Sequence, residues 1–222
     1  MVKHQNKTLT VEHLATLFEL LAILEKAIEP IPLSEIKSDN MKIKKAFLFL
    51  VVLVALQVTG QETFTLTSKN LTGQALKLHE FNGFGCVGDN ISPQLAWLNA
   101  PEGTKSFAVT MYDPDAPTGS GWWHWLVFDI PGNVFELVSN AGDVALNLAP
   151  LGAIQSITDY GSNGYGGPCP PEGDGLHQYI ITVYALGVST LGLGANTNPA
   201  VVGYYLNNNV LGKASLVAYY QR

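Results

Sequence analysis

One stretch limits the architecture of this chain more than any other. Residues 161–175 read GSNGYGGPCPPEGDG, with six Gly and three Pro in fifteen positions. Proline removes a backbone donor and glycine gives up chain entropy, so neither a helix nor a central strand runs through such a segment. It is an irregular loop, and long loops without secondary structure are commonly functional. The segments around it are short and rich in β-formers. Thr63–Ser68 alternates, with Phe64 and Leu66 on one face, and Ser106–Tyr112, Trp125–Ile130, Tyr179–Leu186 and Ala214–Tyr220 read as further strands. Clusters of Gly, Pro, Asn and Asp separate them, which predicts an antiparallel sheet or sandwich. One helix is expected near the C-terminus, capped by Asn198, opened by Pro199 and ended by Gly212.

Residues 1–60 stand apart. Met41 opens a run with Lys42, Lys44 and Lys45, then an apolar stretch from Ala46 to about Leu56, then Val58-Thr59-Gly60 with small or medium residues at the cleavage positions. This is the pattern of a signal peptide over 41–60, cleaved before Gln61. The apolar run is shorter than the roughly 20 residues of a spanning helix, which weighs against a membrane anchor. No Cys lies near the cleavage point, which weighs against a lipid anchor. Residues 1–40 are expected to be an upstream extension outside the mature protein. Their periodic stretch Leu14, Leu17, Phe18, Leu21, Leu24 and Ile28 is compatible with a docking helix, and Pro30 and Pro32 stop it. The mature domain is therefore expected over 61–222, in the periplasm or secreted.

Of the net charge of −6, residues 61–222 hold five Lys/Arg against twelve Asp/Glu. An acidic surface without a basic run argues against nucleic-acid binding. Both cysteines, Cys86 and Cys169, lie in this part. An exported chain allows them one structural disulfide, and free thiols are the alternative. No C-x-x-C spacing supports a metal or redox pair.

Three His remain in this domain. His79 lies in an amphipathic stretch and reads as structural. His124 sits in Gly121-Trp122-Trp123-His124-Trp125, at the mouth of an apolar strand, and His177 ends the Gly/Pro-rich loop just before the Tyr179 strand. Rigid elements present polar groups at such junctions. Asp113-Pro114-Asp115-Ala116-Pro117 follows a strand directly; it is either a turn in which Asp side chains cap backbone N–H groups or a mount for a carboxylate that orients an imidazole. The Ala116–Pro117 bond is open to either isomer. An anion site needs imidazole N–H, tyrosine O–H and free backbone N–H donors, and His124, His177 and Tyr179 with Gly164, Gly166 and Gly167 are the candidates.

Taken in order, Asp113-Pro-Asp-Ala-Pro117, Gly-Trp-Trp-His124-Trp125 with Ile130-Pro131, Tyr165-Gly-Gly-Pro168 with Pro170-Pro171, and His177-x-Tyr179 resemble the phosphatidylethanolamine-binding protein family, which includes the Raf kinase inhibitor proteins of animals. Gly88-Asp89-Asn90-Ile91-Ser92-Pro93 and the run Asp113–Trp125 look most like its bacterial YbhB/YbcL-like branch. The resemblance covers about Phe64 to Tyr220. It implies a mostly β fold, with a central antiparallel sheet, a smaller flanking sheet and a few short helices. It also implies a surface pocket for phosphate-type groups, such as a phospholipid headgroup, and other small anions. By motif match the pocket is Asp113, Asp115, Pro117, Trp122, His124, Gly166, Pro168, His177 and Tyr179. His124 and Tyr179 would be anion donors, His177 a wall and second donor, and Asp113 the group that orients an imidazole. Gln178 stands where animal members carry a basic residue, which removes a cation from the rim.

A non-catalytic binding protein without cofactor or metal is therefore expected. A hydrolase using Asp113, His124 and His177 is the enzymatic rival; no G-x-S-x-G elbow supports it, and Ser162 has no evident base beside it. Metal-ligand spacings such as H-E-x-x-H are absent. A third reading is a secreted modulator of a protein partner such as a protease. The kinase-inhibitor role of cytosolic relatives does not transfer to a secreted protein. Monomer and homodimer both fit the sequence.

Overall fold

The computed structural model of the protein describes residues 62–222. The extension over 1–40, the leader over 41–60 and Gln61 lie outside the described residues. Ten strands form three antiparallel sheets. The central one has the order β10-β9-β5-β6-β8, from β5 (Ser106–Asp113), β6 (Trp122–Pro131), β8 (Ile154–Gln155), β9 (His177–Leu186) and β10 (Val210–Tyr220). A smaller sheet pairs β1 (Thr65–Thr67), β4 (Leu95–Leu98) and β7 (Glu136–Leu137) in the order β1-β4-β7. A third is the hairpin of β2 (Asn82–Gly83) and β3 (Cys86–Val87).

The central sheet buries both faces, which is why β5 and β6 read as nearly unbroken apolar runs. On one face Phe107, Val109, Met111, Trp125, Val127, Ile181 and Val183 meet Leu66, Leu95 and Trp97 of the small sheet. On the other, Ala108, Leu126 and Phe128 meet Val202 and Leu206 of α1 (Pro199–Asn209). Alternate residues of β5 thus serve opposite cores, the period-2 geometry of a strand. The two layers pack Trp97 against Phe107, ring centroids 5.3 Å apart. Fully burying a side chain of this size contributes about 2–3 kcal/mol.

Several boundaries differ from the sequence expectation. Strand β6 begins at Trp122 rather than Trp125, so His124 lies inside a strand, not at its mouth. Asn198 does cap α1, its side chain accepting from the Ala200 N–H at 2.9 Å, with Pro199 at the first position. Gly212 does not end the helix. The chain leaves α1 directly into β10 at Val210, in an extended conformation, and Gly212 follows a bulge in the β10–β9 ladder. A Cβ at Gly212 would come 2.7 Å from Pro101, so the glycine serves a close approach instead of a cap. Among the described residues every peptide bond is trans, Ala116–Pro117 included.

Candidate ligand-binding site

Strands β5 and β6 run antiparallel and are joined by the turn 114–121, while β9 runs beside β5. This brings the C-terminal end of β5 and the N-terminal ends of β6 and β9 to one edge of the central sheet. Asp113, the last residue of β5, organises the turn. Its Oδ1 accepts from the N–H groups of Asp115 (2.8 Å) and Ala116 (3.1 Å). That is an Asx-type turn, stiffened by the two prolines. Its Oδ2 accepts from His177 Nδ1, the first residue of β9, at 2.8 Å. Asp115 Oδ2 accepts from the Gln178 N–H at 2.8 Å, a second tie between the turn and β9.

From β6, His124 turns its Nδ1 toward the carbonyl oxygens of Gly166 (2.7 Å) and Gly167 (3.1 Å). Carbonyls only accept, so Nδ1 carries the proton and donates. The long loop is pinned in return, with Gly166 N–H donating to the His124 carbonyl (2.8 Å) and Gly167 N–H to Asn90 Oδ1 (2.8 Å). Glycine is required at both positions. A Cβ on Gly166 would enter the Tyr160 ring, and one on Gly167 would collide with the His79 carbonyl oxygen.

Between these elements lies a cavity of about 180 Å³. Asp113, Pro117, Trp122, His124, His177 and Tyr179 line it. Asp113, His124, His177 and Tyr179 are all buried, none more than 3 % exposed. Asp115, Gly166 and Pro168 do not line the cavity. They support it: Asp115 through Gln178, Gly166 through His124, and Pro168 through its carbonyl, which accepts from the Phe81 N–H at 3.0 Å. The expectation that Gly166 and Gly167 leave backbone N–H groups free for an anion is corrected, because both donors are already bonded within the protein. The expectation that His124 is a donor is corrected for the neutral ring, since its one N–H is spent on the loop carbonyls.

Burial holds the His124 imidazole far below its usual range, at about 4, against smaller opposing effects of the loop carbonyls and Asp113. Burial also acts to lower His177. The hydrogen bond and charge of Asp113, joined by Asp174, outweigh it and raise His177 above the ordinary value. Asp174 Oδ2 lies 3.3 Å from His177 Nε2, so the protonated ring donates to a carboxylate on each side. Burial, then the nearby Asp113 charge, pushes the Tyr179 hydroxyl upward, and it stays protonated. Among the described residues two buried donors on lining residues have no partner in strict hydrogen-bond geometry, the Trp122 Nε1–H and the Tyr179 O–H, the latter close enough to Asp113 to be raised by its carboxylate.

Tyr160, Phe84 and Asp174 escaped the sequence reading. Tyr160 lines the cavity, stacks on Phe81 with centroids 4.0 Å apart and donates its O–H to the Gly167 carbonyl at 2.9 Å. An aromatic residue one position before the Gly-rich loop was the available signal. Phe84 and Gly85 both have positive φ (50° and 83°), which makes the β2–β3 connection a two-residue hairpin turn and sets the 70 % exposed Phe84 ring on the cavity wall. Asp174 stands three residues before His177. The structure joins Cys86 of β3 to Cys169 of the loop, their Cα atoms 6.0 Å apart. Arg222 bridges the same two segments, donating from Nε to the Pro170 carbonyl (2.8 Å) and from its guanidinium to the Gly85 carbonyl (2.9 Å).

An antiparallel two-sheet core with a polar cavity at one edge of the central sheet is the fold of the phosphatidylethanolamine-binding proteins. The chain matches that family over residues 67–221, and it belongs to it. It is similar to UPF0098 protein YbcL of Escherichia coli (strain K12), 46% identical over 180 residues, covering 80% of this chain and 98% of the relative. It is 48% identical over 140 residues to UPF0098 protein YbhB of the same bacterium, covering 63% and 87%. The crystal structure of E. coli YbcL, described as a new member of the mammalian PEBP family, aligns with a TM-score of 0.71 at 47% identity, over 72% of this chain and 99% of that one.

Proposed function

We propose that this protein is an exported, non-catalytic binding protein whose cavity takes a small anion of the phosphate or phospholipid-headgroup type. The observation that carries this reading is the pair of buried donors without a bonded partner among the described residues, Tyr179 O–H and Trp122 Nε1–H, on residues that line a cavity of about 180 Å³. Buried donors left unpaired cost about 1–3 kcal/mol each, a cost that a bound oxyanion removes. Family membership supports the same use of the site. An enzymatic role finds less support. Asp113 and His177 are spent on one another, and among the described residues no hydroxyl or thiol is hydrogen-bonded to either cavity imidazole. Export is supported by the leader pattern over 41–60 and by the closeness of Cys86 and Cys169, which suits an oxidising compartment. Among the described residues no helix is long and apolar enough to cross a membrane.

The test is calorimetric titration with methyl phosphate, inorganic phosphate and acetate, with ethanol as the uncharged control, on the wild type and on Tyr179→Phe. Saturable binding that weakens about tenfold in the variant is expected for the loss of one hydrogen bond to a charged ligand. Unchanged affinity in Tyr179→Phe removes the assigned site. Heat from none of the anions removes the anion reading.

A further inference from the structure

The β2–β3 hairpin stands outside both larger sheets. Its strands pair only with one another, through Asn82 with Val87 and Gly83 with Cys86. A two-stranded hairpin is marginal by itself, so its position depends on the ties it makes elsewhere. At its base the Phe81 N–H donates to the Pro168 carbonyl at 3.0 Å. The Val87 N–H donates to the buried Glu80 carboxylate, which also accepts from Lys77 and from the Tyr220 hydroxyl. The tip is held differently. Its exposed Phe84 ring stacks on Tyr160 with centroids 5.5 Å apart and forms part of the cavity wall. Besides that stacking, its ties are the Cys86–Cys169 bridge and the Arg222 guanidinium on the Gly85 carbonyl. An exposed hydrogen bond adds little against water, so the covalent bridge is the tie that decides. The two sulfurs are not equivalent. Cys86 is buried, whereas Cys169 is half-buried and lines the cavity. Cys169 Sγ lies 3.7 Å from the Gly83 carbonyl oxygen and 3.8 Å from that of Phe84. Exposed disulfides beside a cavity are the ones open to thiol exchange.

We propose that the Cys86–Cys169 bridge is a redox latch on the cavity wall: formed, it holds Phe84 and the hairpin tip against the Gly/Pro-rich loop; reduced by a dithiol, it frees the tip and opens the cavity on that side. One thiolate of the dithiol attacks Cys169 Sγ, forms a mixed disulfide and expels Cys86, which takes up a proton. The second thiolate of the dithiol attacks its own partner's sulfur and releases Cys169, which is protonated in turn. The dithiol ends as a disulfide, two electrons and two protons having passed to the protein. Cys86 and Cys169 are the only cysteines of the chain, so it has no resolving thiol of its own and both reducing thiols come from the partner. After reduction the tip keeps Arg222, the Phe84–Tyr160 stacking and, at most, a weak S–H donor facing the Gly83 and Phe84 carbonyls. The latch rests on this geometry alone. Its effect on a bound ligand rests on the anion pocket argued above.

The test is hydrogen exchange of the full chain, read by mass spectrometry, in the oxidised protein, in the protein reduced with dithiothreitol, and in Cys86→Ser/Cys169→Ser. Amides of residues 82–88 are expected to exchange at least about tenfold faster once the bridge is gone, while those of β5 and β9 stay as slow as before. Reoxidation of the wild type should restore the slow exchange. The reduced wild type decides the matter if the double variant does not fold. Exchange over 82–88 that ignores the redox state overturns the latch. So does a rise spread equally over the central sheet, which would make the bridge a staple of the whole fold. Calorimetric titration of both redox forms with inorganic phosphate then reads the effect on the cavity. The Kd is expected to rise about tenfold on reduction, because the ligand must then order the hairpin as it binds. Equal affinity in the two forms overturns the control of the cavity by the latch. Phosphate binding to neither form removes the anion reading, and the exchange result still decides the latch.

Discussion

His177 Nδ1 stands 2.8 Å from Asp113 Oδ2, joining the first residue of β9 to the last residue of β5. The backbone ladder between those strands ends at Tyr112 and Ile180, one residue short of Asp113 on β5 and three residues short of His177 on β9. The side-chain pair therefore extends the sheet past its last main-chain rung and fixes the edge on which the cavity is built. Both side chains are 3 % exposed, so the pair is shielded from solvent. Removing one partner of such a pair is costly because it strands the other charge.

Asp113→Asn is expected to destabilise the protein by about 3 kcal/mol in urea unfolding. It should also return the His177 pKa toward or below its ordinary value, because the carboxylate that raises it is gone. An unchanged His177 titration in the variant, followed by NMR, would contradict the pairing.

The two cavity histidines give stability opposite dependences on pH. The folded-state pKa of His124 is lowered from 6.5 to about 4. Its contribution is therefore complete above pH 6.5 and is lost as pH falls toward 4, where the unfolded chain binds a proton that the folded one refuses. The pKa of His177 is raised above 6.5. Its contribution is complete below pH 6.5 and is lost as pH rises through the raised value. Urea midpoints measured across pH should fall on both sides, and His177→Gln should flatten the alkaline limb alone.

The Gly/Pro-rich loop is held by positions that admit only hydrogen at Cα. Gly167→Ala is expected to cost about 3 kcal/mol or more and to lower the yield of folded protein, because the new methyl meets the His79 backbone rather than a movable side chain. Gly173→Ala is a useful comparison: no atom lies within 4 Å of its added Cβ, although its φ of +78° brings a conformational cost of about 1 kcal/mol. Equal stabilities for the two variants would contradict the packing described.

Cys86 and Cys169 are 83 residues apart in sequence and face each other beside the cavity. Closing a loop of that length stabilises by about 4–5 kcal/mol in the chain-entropy model. Thiol titration of the native protein should find no reactive thiol, and reduction should lower its stability by an amount of that order. Two titratable thiols in the native protein would contradict the bridge.

Much of this structure was legible in the sequence, and the misses share a physical cause. Strands β5 and β9 announced themselves through continuous β-branched and aromatic runs, and Asn198-Pro199 marked the start of α1 by its own capping chemistry. Leu95–Leu98 did not stand out, because only four residues carry its pattern. Its place in the small sheet rests on cross-strand partners Leu66 and Leu137, far away in the chain. Gly212 looked like a helix terminator because a glycine signals a special backbone position without saying which kind. For the site, Asp113, Pro117, Trp122, His124, His177 and Tyr179 carried recognisable motifs, whereas Tyr160 and Phe84, which also line the cavity, did not. The roles of Gly166 and Gly167 did not, since they act through backbone carbonyls that have no side-chain signature. That same backbone contact occupies the Nδ1–H of His124.

The most direct test of the anion-pocket account is an NMR titration of the full chain with inorganic phosphate and phosphorylethanolamine, observing the His124 and His177 imidazole signals, with ethanol as control. The account predicts saturable shifts at both imidazoles with either phosphate and none with ethanol. Imidazole signals that stay fixed up to millimolar phosphate would contradict it.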